Sequence, residues 1–171
     1  MKITHLPLTR EELYYKMEFA EVGAEIGVLR GSNAKNILKA IPNLKLYLID
    51  PWGSRNPKME NYPEMIGKRL VDYHVHILPG YSLDIVDAFD DGQLDFVYID
   101  GDHRFDGVMM DLISWAPKVK PGGWIMGHDY HVTPKIEVVH ALDVYTKNHS
   151  VKELFVTTEK YPTWYWVQPW T

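Results

Sequence analysis

Two carboxylates and an imidazole, Asp100, Asp102 and His103, follow at once on the apolar run Phe96–Ile99. His128 and Asp129 stand in the same relation to the run WIM at 124–126. Groups that resist burial are thus set directly behind segments whose composition demands it. An imidazole whose ordinary pKa lies near neutrality can take a proton from a hydroxyl, which makes His103 a candidate general base. A lone acid here would be read as a helix cap, since acids favour helix N-termini. Asp100, His103, His128 and Asp129 on neighbouring exits point instead to an active site.

The elements that must position these groups are visible as short apolar runs alternating with helical patterns. Thr9 and Glu12 form a capping-box pattern, which predicts a helix through about Ala20 within an N-terminal segment 1–21. AEIGVL (24–29), LKLYLID (44–50), HVHILPG (74–80), LDFVYID (94–100) and WIMGHDY read as strands and their exits. Between them, Ala34, Ile37, Leu38 and Ile41 fall on one helical face, as do Met109, Leu112, Ile113 and Ala116. A weaker helix is expected around Glu64 to Tyr73, and others after Ser82 and after the pair Thr133-Pro134. PGG (121–123) is expected to break the chain before the fifth strand, and VKELFVTT and TWYWVQP to close it as a hairpin. Such alternation implies βαβ units and a mainly parallel sheet with helices on both faces.

Ligands in open α/β sheets bind beyond the carboxyl ends of the strands. The first exit, EIGVLRGS, carries Glu25, Gly27, Gly31 and Ser32, with Ser32 placed to cap the next helix. It is not GxGxxG, so a dinucleotide pyrophosphate site is poorly supported. Asp50 ends the second strand roughly 20 residues after the glycine turn, where an acid can accept from both hydroxyls of a ribose. Trp52 follows it and is placed either against an adenosine or in rim packing. The third exit offers Ser82. His74 and His76 alternate along their strand and are expected to pair and pack, and Trp164 and Trp166 to cover helices from one face.

The strings GAEIGVLRGSNAKNIL, LYLIDPWG and LDFVYIDGDHRFDGVMMDLISWAPKVKPGGWIMGHDY resemble the class I S-adenosylmethionine-dependent methyltransferases. The closest likeness is to the small-molecule and sugar O-methyltransferase group, over residues 22 to 131. The resemblance implies a Rossmann-like seven-stranded sheet whose last two runs form an antiparallel edge. It implies that Glu25, Gly27 and Gly31 border the methionine part of the cofactor, that Asp50 holds its ribose, and that Ser82 lies near the adenine. In metal-dependent members an Asp at the fourth strand end and an acidic pair after the fifth bind a cation. The matching positions are Asp100 and His128-Asp129, with His103 in the base position. His128 stands where a carboxylate is expected, and a nitrogen ligand leans toward Mn, Fe or Zn over Mg. Whether a divalent cation assists, or His103 acts alone, stays open at this level.

The 171 residues, taken as one unit, carry a net charge of -5 and no cysteine. That excludes a thiolate site or disulfide framework and argues against a nucleic-acid partner. No run is long and apolar enough for a signal or a membrane span, so a soluble, cytoplasmic protein is the expectation. Residues 53 to 73 are the one candidate lid, and so short a chain is expected to form a homo-oligomer. Two competing readings carry weight. A metallohydrolase would use the Asp/His cluster on water but leave Glu25 and Asp50 idle. A non-catalytic module would keep the cofactor fold without turnover. The acceptor is expected to be a small molecule of unstated kind.

Overall fold

The computed structural model describes residues 1–169. Its strands are β1 (Lys2–Leu6), β2 (Val22–Ile26), β3 (Lys45–Asp50), β4 (Val75–Pro79), β5 (Leu94–Ile99), β6 (Val119–Gly127), β7 (Glu153–Thr157) and β8 (Trp164–Val167). They form one sheet in the order β1-β7-β8-β6-β5-β2-β3-β4. Every pairing is parallel except the two made by β8, which runs against β6 and β7. The closing hairpin is therefore present, and the sheet has eight strands where seven were expected. The additional strand is β1, whose KITHL lacks a clean polar–apolar alternation and owes its place to pairing with β7.

The helices are α1 (Arg10–Tyr14), α2 (Ser32–Ala40), α3 (Trp52–Arg55), α4 (Tyr62–Arg69), α5 (Ser82–Ile85), α6 (Phe105–Trp115) and α7 (Val138–Asn148). They cover both faces. On one, α1, α2 and α4 pack Leu13, Ile37, Leu38 and Ile66 against Leu48, Phe96, Tyr98 and Met126. On the other, α6 and α7 pack Leu112, Trp115 and Leu142 against Val97, Ile99, Ile125 and Trp164. β5 is buried at all six positions, which is why its sequence is apolar on both alternating sides. Trp164 and Trp166 stack at 5.5 Å within the second core, as their shared face predicted.

Local signals held where a side chain could close a hydrogen bond and slipped where packing decided. The capping box at Thr9 and Glu12 is formed, but α1 stops at Tyr14 and does not reach Ala20. Ser32 is the first residue of α2 and not its cap; Gly31, in the left-handed region at φ 71°, takes that position. Ser82 likewise starts α5 with no capping bond. Thr133 forms a bridge with Ile136, so the last helix begins four residues beyond Pro134, at Val138. PGG does not break the chain before β6. It lies inside the strand, beside a register shift opposite Leu94 and Phe96, and a Cβ on Gly123 would stand 2.5 Å from the Asp95 carbonyl oxygen. No helix among the described residues is long and apolar enough to cross a membrane.

Candidate active site

The chain runs outward from β2 through β3 to β4 and returns to β5 beside β2, so the strand order reverses between β2 and β5. Crevices form at such a reversal. The exits are tied together: Gly27 N–H donates to the Ile49 carbonyl at 2.8 Å, Asp100 N–H to that of Ile26 at 2.8 Å, and His128 N–H to that of Ile99 at 3.2 Å. Gly27 sits at φ 85°, and a Cβ there would lie 2.2 Å from the Asp100 carbonyl oxygen. Its glycine is required by the neighbouring exit. Gly27→Ala is therefore expected to cost roughly 3 kcal/mol or more, from overpacking and a strained φ together. A chemical-denaturation curve unchanged from wild type would contradict this close approach.

Asp100, His103 and Asp129 are the residues these exits bring together. One ligand atom from each can be chosen so that all lie within 4.8 Å of one another. His103 Nε2 stands 2.8 Å from Asp129 Oδ2 and 3.3 Å from Asp100 Oδ1. It is buried, with neither oxygen in hydrogen-bond alignment. The approach of Asp100 first and of Asp129 second pushes the His103 pKa up to about 10, against the effect of burial. Burial would raise the Asp129 carboxyl, but contacts with His103 and His128 outweigh it and hold the acid well below its ordinary range. At rest the centre is an imidazolium between carboxylates. Glu137 secures the loop from both sides, its N–H donating to the His103 carbonyl at 2.8 Å and its carboxylate accepting from Phe105 N–H at 3.0 Å.

His128, expected to complete a ligand set, is placed otherwise. Its Nδ1 is 3.8 Å from Asp100 and 3.5 Å from Asp129, while Nε2 meets Arg10 Nη1 at 3.0 Å. A guanidinium only donates, so Nε2 accepts and the ring proton sits on Nδ1, facing the acids. In this arrangement His103, and not His128, is the third member of the group. The donor set of two carboxylates and one imidazole, whose buried Nε2 is unaligned with either acid, fits a divalent cation. Arg10 had no signal in the sequence beyond its place after Thr9; it is brought in by α1 and by its N–H donating to Glu159 at 2.9 Å.

Beside this centre lies a second polar group. Glu25 is fully buried and accepts from Asn33 Nδ2 at 3.0 Å through Oε1, while Oε2 has no partner. Burial pushes its pKa up to about 8; Asn33 opposes this, and Asp100 and Asp50 add to it. Asn33 is oriented in turn by the Tyr14 hydroxyl at 2.6 Å. Asp50 accepts three backbone N–H groups, Val28 at 3.0 Å, Leu29 at 2.9 Å and Trp52 at 2.8 Å. It therefore organises the turn between β2 and α2, leaving about one acceptor direction free.

Trp52 is 1% exposed, and its indole N–H donates to the Leu29 carbonyl at 2.8 Å. Of the two placements open to Trp52 it takes the packing one, within the core and not at the rim, and its bond to Leu29 holds the turn. Ser82 Oγ donates to Asp111 Oδ1 at 2.5 Å, so its hydroxyl proton points into α6. Burial pushes Asp111 up to about 6 against that bond. Residues 53 to 73, the candidate lid, fold down on the turn: Ile66 lies 3.3 Å from where a Gly31 Cβ would be, and Arg69 donates to the Arg30 carbonyl at 2.9 Å.

Residues 24–130 match a family described as a methyltransferase domain. The chain belongs to this family. No curated protein shows a significant sequence match to this methyltransferase-family chain. Among solved structures it is similar to NovP, an O-methyltransferase, with 21% identity and a TM-score of 0.72 over 94% of this chain and 80% of that one. It is similar also to the O-methyltransferase TomG of Streptomyces achromogenes, in complex with S-adenosylmethionine, at 17% identity and TM-score 0.67 over 93% and 79%. The Bacillus cereus O-methyltransferase, in complex with S-adenosylhomocysteine, gives 14% and 0.68 over 95% and 82%. At these identities the likeness is one of fold, a Rossmann-like methyltransferase sheet with the reversed strand β8 between β7 and β6.

Proposed function

We propose that this methyltransferase moves a methyl group from S-adenosylmethionine to a hydroxyl oxygen of a small molecule. The observation that carries the reading is the junction, at the reversal between β2 and β5, of the Glu25–Asp50 turn with the Asp100–His103–Asp129 centre. The first group suits a cationic ribonucleoside. Glu25 has a buried, unpartnered oxygen for a positive group, and Asp50 a remaining acceptor direction for a ribose hydroxyl. The second suits the acceptor.

S-adenosylmethionine, when bound, supplies an electrophilic methyl on a sulfonium sulfur. The acceptor oxygen must lose its proton as it takes the methyl, and His103 is the group positioned to receive it. Because Asp100 and Asp129 hold His103 protonated, it has to release that proton first. A divalent cation, held by Asp100, Asp129 and a neutral His103, would lower the acceptor hydroxyl's own pKa. With His103 engaged as a ligand, the hydroxyl proton would then leave to solvent, and the base role of His103 would belong to the cation-free case. Without the cation the imidazole is free to act as base only toward pH 10. Activity without added cation is therefore expected to climb through the alkaline range. With Mn(II) the profile should move to lower pH.

Calorimetric titration with S-adenosylhomocysteine tests the cofactor half of the reading. Micromolar binding by the wild type, weakened about tenfold in Asp50→Asn, is the expected result, since the amide loses one acceptor oxygen and charge. Asparagine is preferred to alanine because its one oxygen can still accept from Val28 and Leu29, whereas alanine would release the Trp52 amide and those two together. A folded wild type that binds neither S-adenosylhomocysteine nor S-adenosylmethionine, yet cleaves phosphoesters with added metal, would replace this reading with a hydrolase.

A further inference from the structure

We propose that His74 and His76 form a second cation site, a two-imidazole chelate on the outer edge of the sheet for a transition-metal ion such as Zn(II) or Ni(II). β4 is the last strand in the sheet order, so its outer side has no neighbouring strand among the described residues. His76 lies in β4 and His74 immediately precedes that strand, with the two rings on the same side and their Nε2 atoms 3.2 Å apart. Two zinc–nitrogen bonds of about 2.0–2.1 Å at a roughly tetrahedral angle separate their nitrogens by about 3.3 Å. The bite of the chelate is thus already set.

The rings are held in that posture. His76 stacks on Tyr47 at 5.0 Å and 27°, and Tyr47 is itself wedged edge-on against Phe89 at 4.9 Å. Backbone pairing keeps His74 in line, its carbonyl accepting from Leu46 N–H at 2.9 Å. Without an ion the two nitrogens can share only one proton; a metal would replace that proton and satisfy both.

The ligand chemistry selects the ion. Imidazole nitrogens alone suit zinc, nickel or copper, and offer nothing to magnesium or calcium, which need oxygen. The Lys45 ammonium, 5.0 Å from the centre of the Tyr47 ring, opposes any weakly held cation further. His74 and His76 lie toward the opening end of β4, whereas Asp50 pairs with Pro79 at its carboxyl end, so the site is separate from the Asp100–His103–Asp129 centre. It does not depend on the methyltransferase reading.

Zinc titration in an Asp100→Asn/Asp129→Asn background measures the edge site alone. One saturable equivalent per chain is expected, lost on adding His74→Ala or His76→Ala. Absence of saturable binding in the background, or binding that survives both histidine variants, overturns the proposal. Since His76→Ala uncovers Tyr47, circular dichroism should confirm the fold, and the more exposed His74→Ala carries the comparison. Long-range proton–nitrogen NMR on the wild type gives a variant-free answer. Zinc should shift the Nε2 resonances of both rings together, and unmoved resonances at saturating zinc would equally refute the chelate.

Discussion

Replacing Glu25 by glutamine is expected to raise the melting temperature of the free protein while weakening its hold on S-adenosylmethionine. Burial lifts the Glu25 pKa from 4.5 to about 8. An acid whose folded pKa exceeds its unfolded one costs stability above the unfolded value, increasingly as pH rises from 4.5 until the folded group also ionises near 8. At neutral pH that cost is on the order of 3 kcal/mol. Glutamine escapes it but puts an amide N–H₂ where Oε2 now lacks a partner, which returns about 1–2 kcal/mol. The net gain of roughly 1–2 kcal/mol corresponds to a few degrees. The wild-type decline in stability between pH 5 and 8 should flatten in the variant. Binding should move the other way, because the cofactor's positive charge draws Glu25 into its ionised form. Loss of that charge-assisted contact is worth about tenfold or more in affinity. The loss should be larger for S-adenosylmethionine than for the uncharged sulfur of S-adenosylhomocysteine. Thermal melts across that pH range, paired with calorimetry on both ligands, decide the matter. A variant less stable than wild type at pH 8 would mean that Glu25 is not a desolvated acid.

Asp129→Asn should sharply reduce cation-supported turnover while leaving the sheet intact. The carboxylate stands 2.8 Å from His103 Nε2 and belongs to the group that would hold a cation. With Mn(II) present its loss is expected to lower the rate by about 10²–10⁴-fold, because a ligand of the cation is removed; without cation the lower His103 pKa should instead shift activity toward neutral pH. The His103 pKa should fall from about 10 toward its ordinary 6.5, since one of the two acids that raise it is gone. The His103 ion pair stabilises the fold fully below pH 6.5 and loses that contribution as pH rises through 10, so the variant's stability should depend less on pH in that window. Histidine NMR titration reads the pKa directly. A pKa still near 10 in Asp129→Asn would show that Asp100 alone governs the imidazole.

The parts of the site that were legible in the sequence are those fixed by strand ends. Asp50, Asp100 and Asp129 terminate runs whose burial is dictated by composition, and the parallel arrangement turns every such end toward one edge. Illegible were the side-chain directions. His128 has the residue type and position of a ligand, yet Arg10, 118 residues away in sequence, captures its outer nitrogen. Trp52 adjoins Asp50 in sequence and would have suited a nucleobase, but its indole is buried and donates to the Leu29 carbonyl. β1 escaped notice because its partner is at the other end of the chain, and a pairing so distant leaves no local periodicity. Asn33 and Asp111 carry no pattern at all, and only the folded helices bring them to Glu25 and Ser82.

The pairing of β1 with β7 has a consequence for the order in which the molecule can be built. Lys2 to Leu6 lie in register with Glu153 to Thr157, and the next turn ties Arg10 to Glu159. A chain emerging from the ribosome must carry its first strand unpaired until nearly all the rest has been made. The central strands can assemble meanwhile, but Arg10 cannot be secured over His128 before Glu159 arrives. Loop closure across almost the whole chain is slow relative to local pairing. The β1 edge, and with it the position of Arg10 beside His128, is therefore the last part of the fold to be fixed.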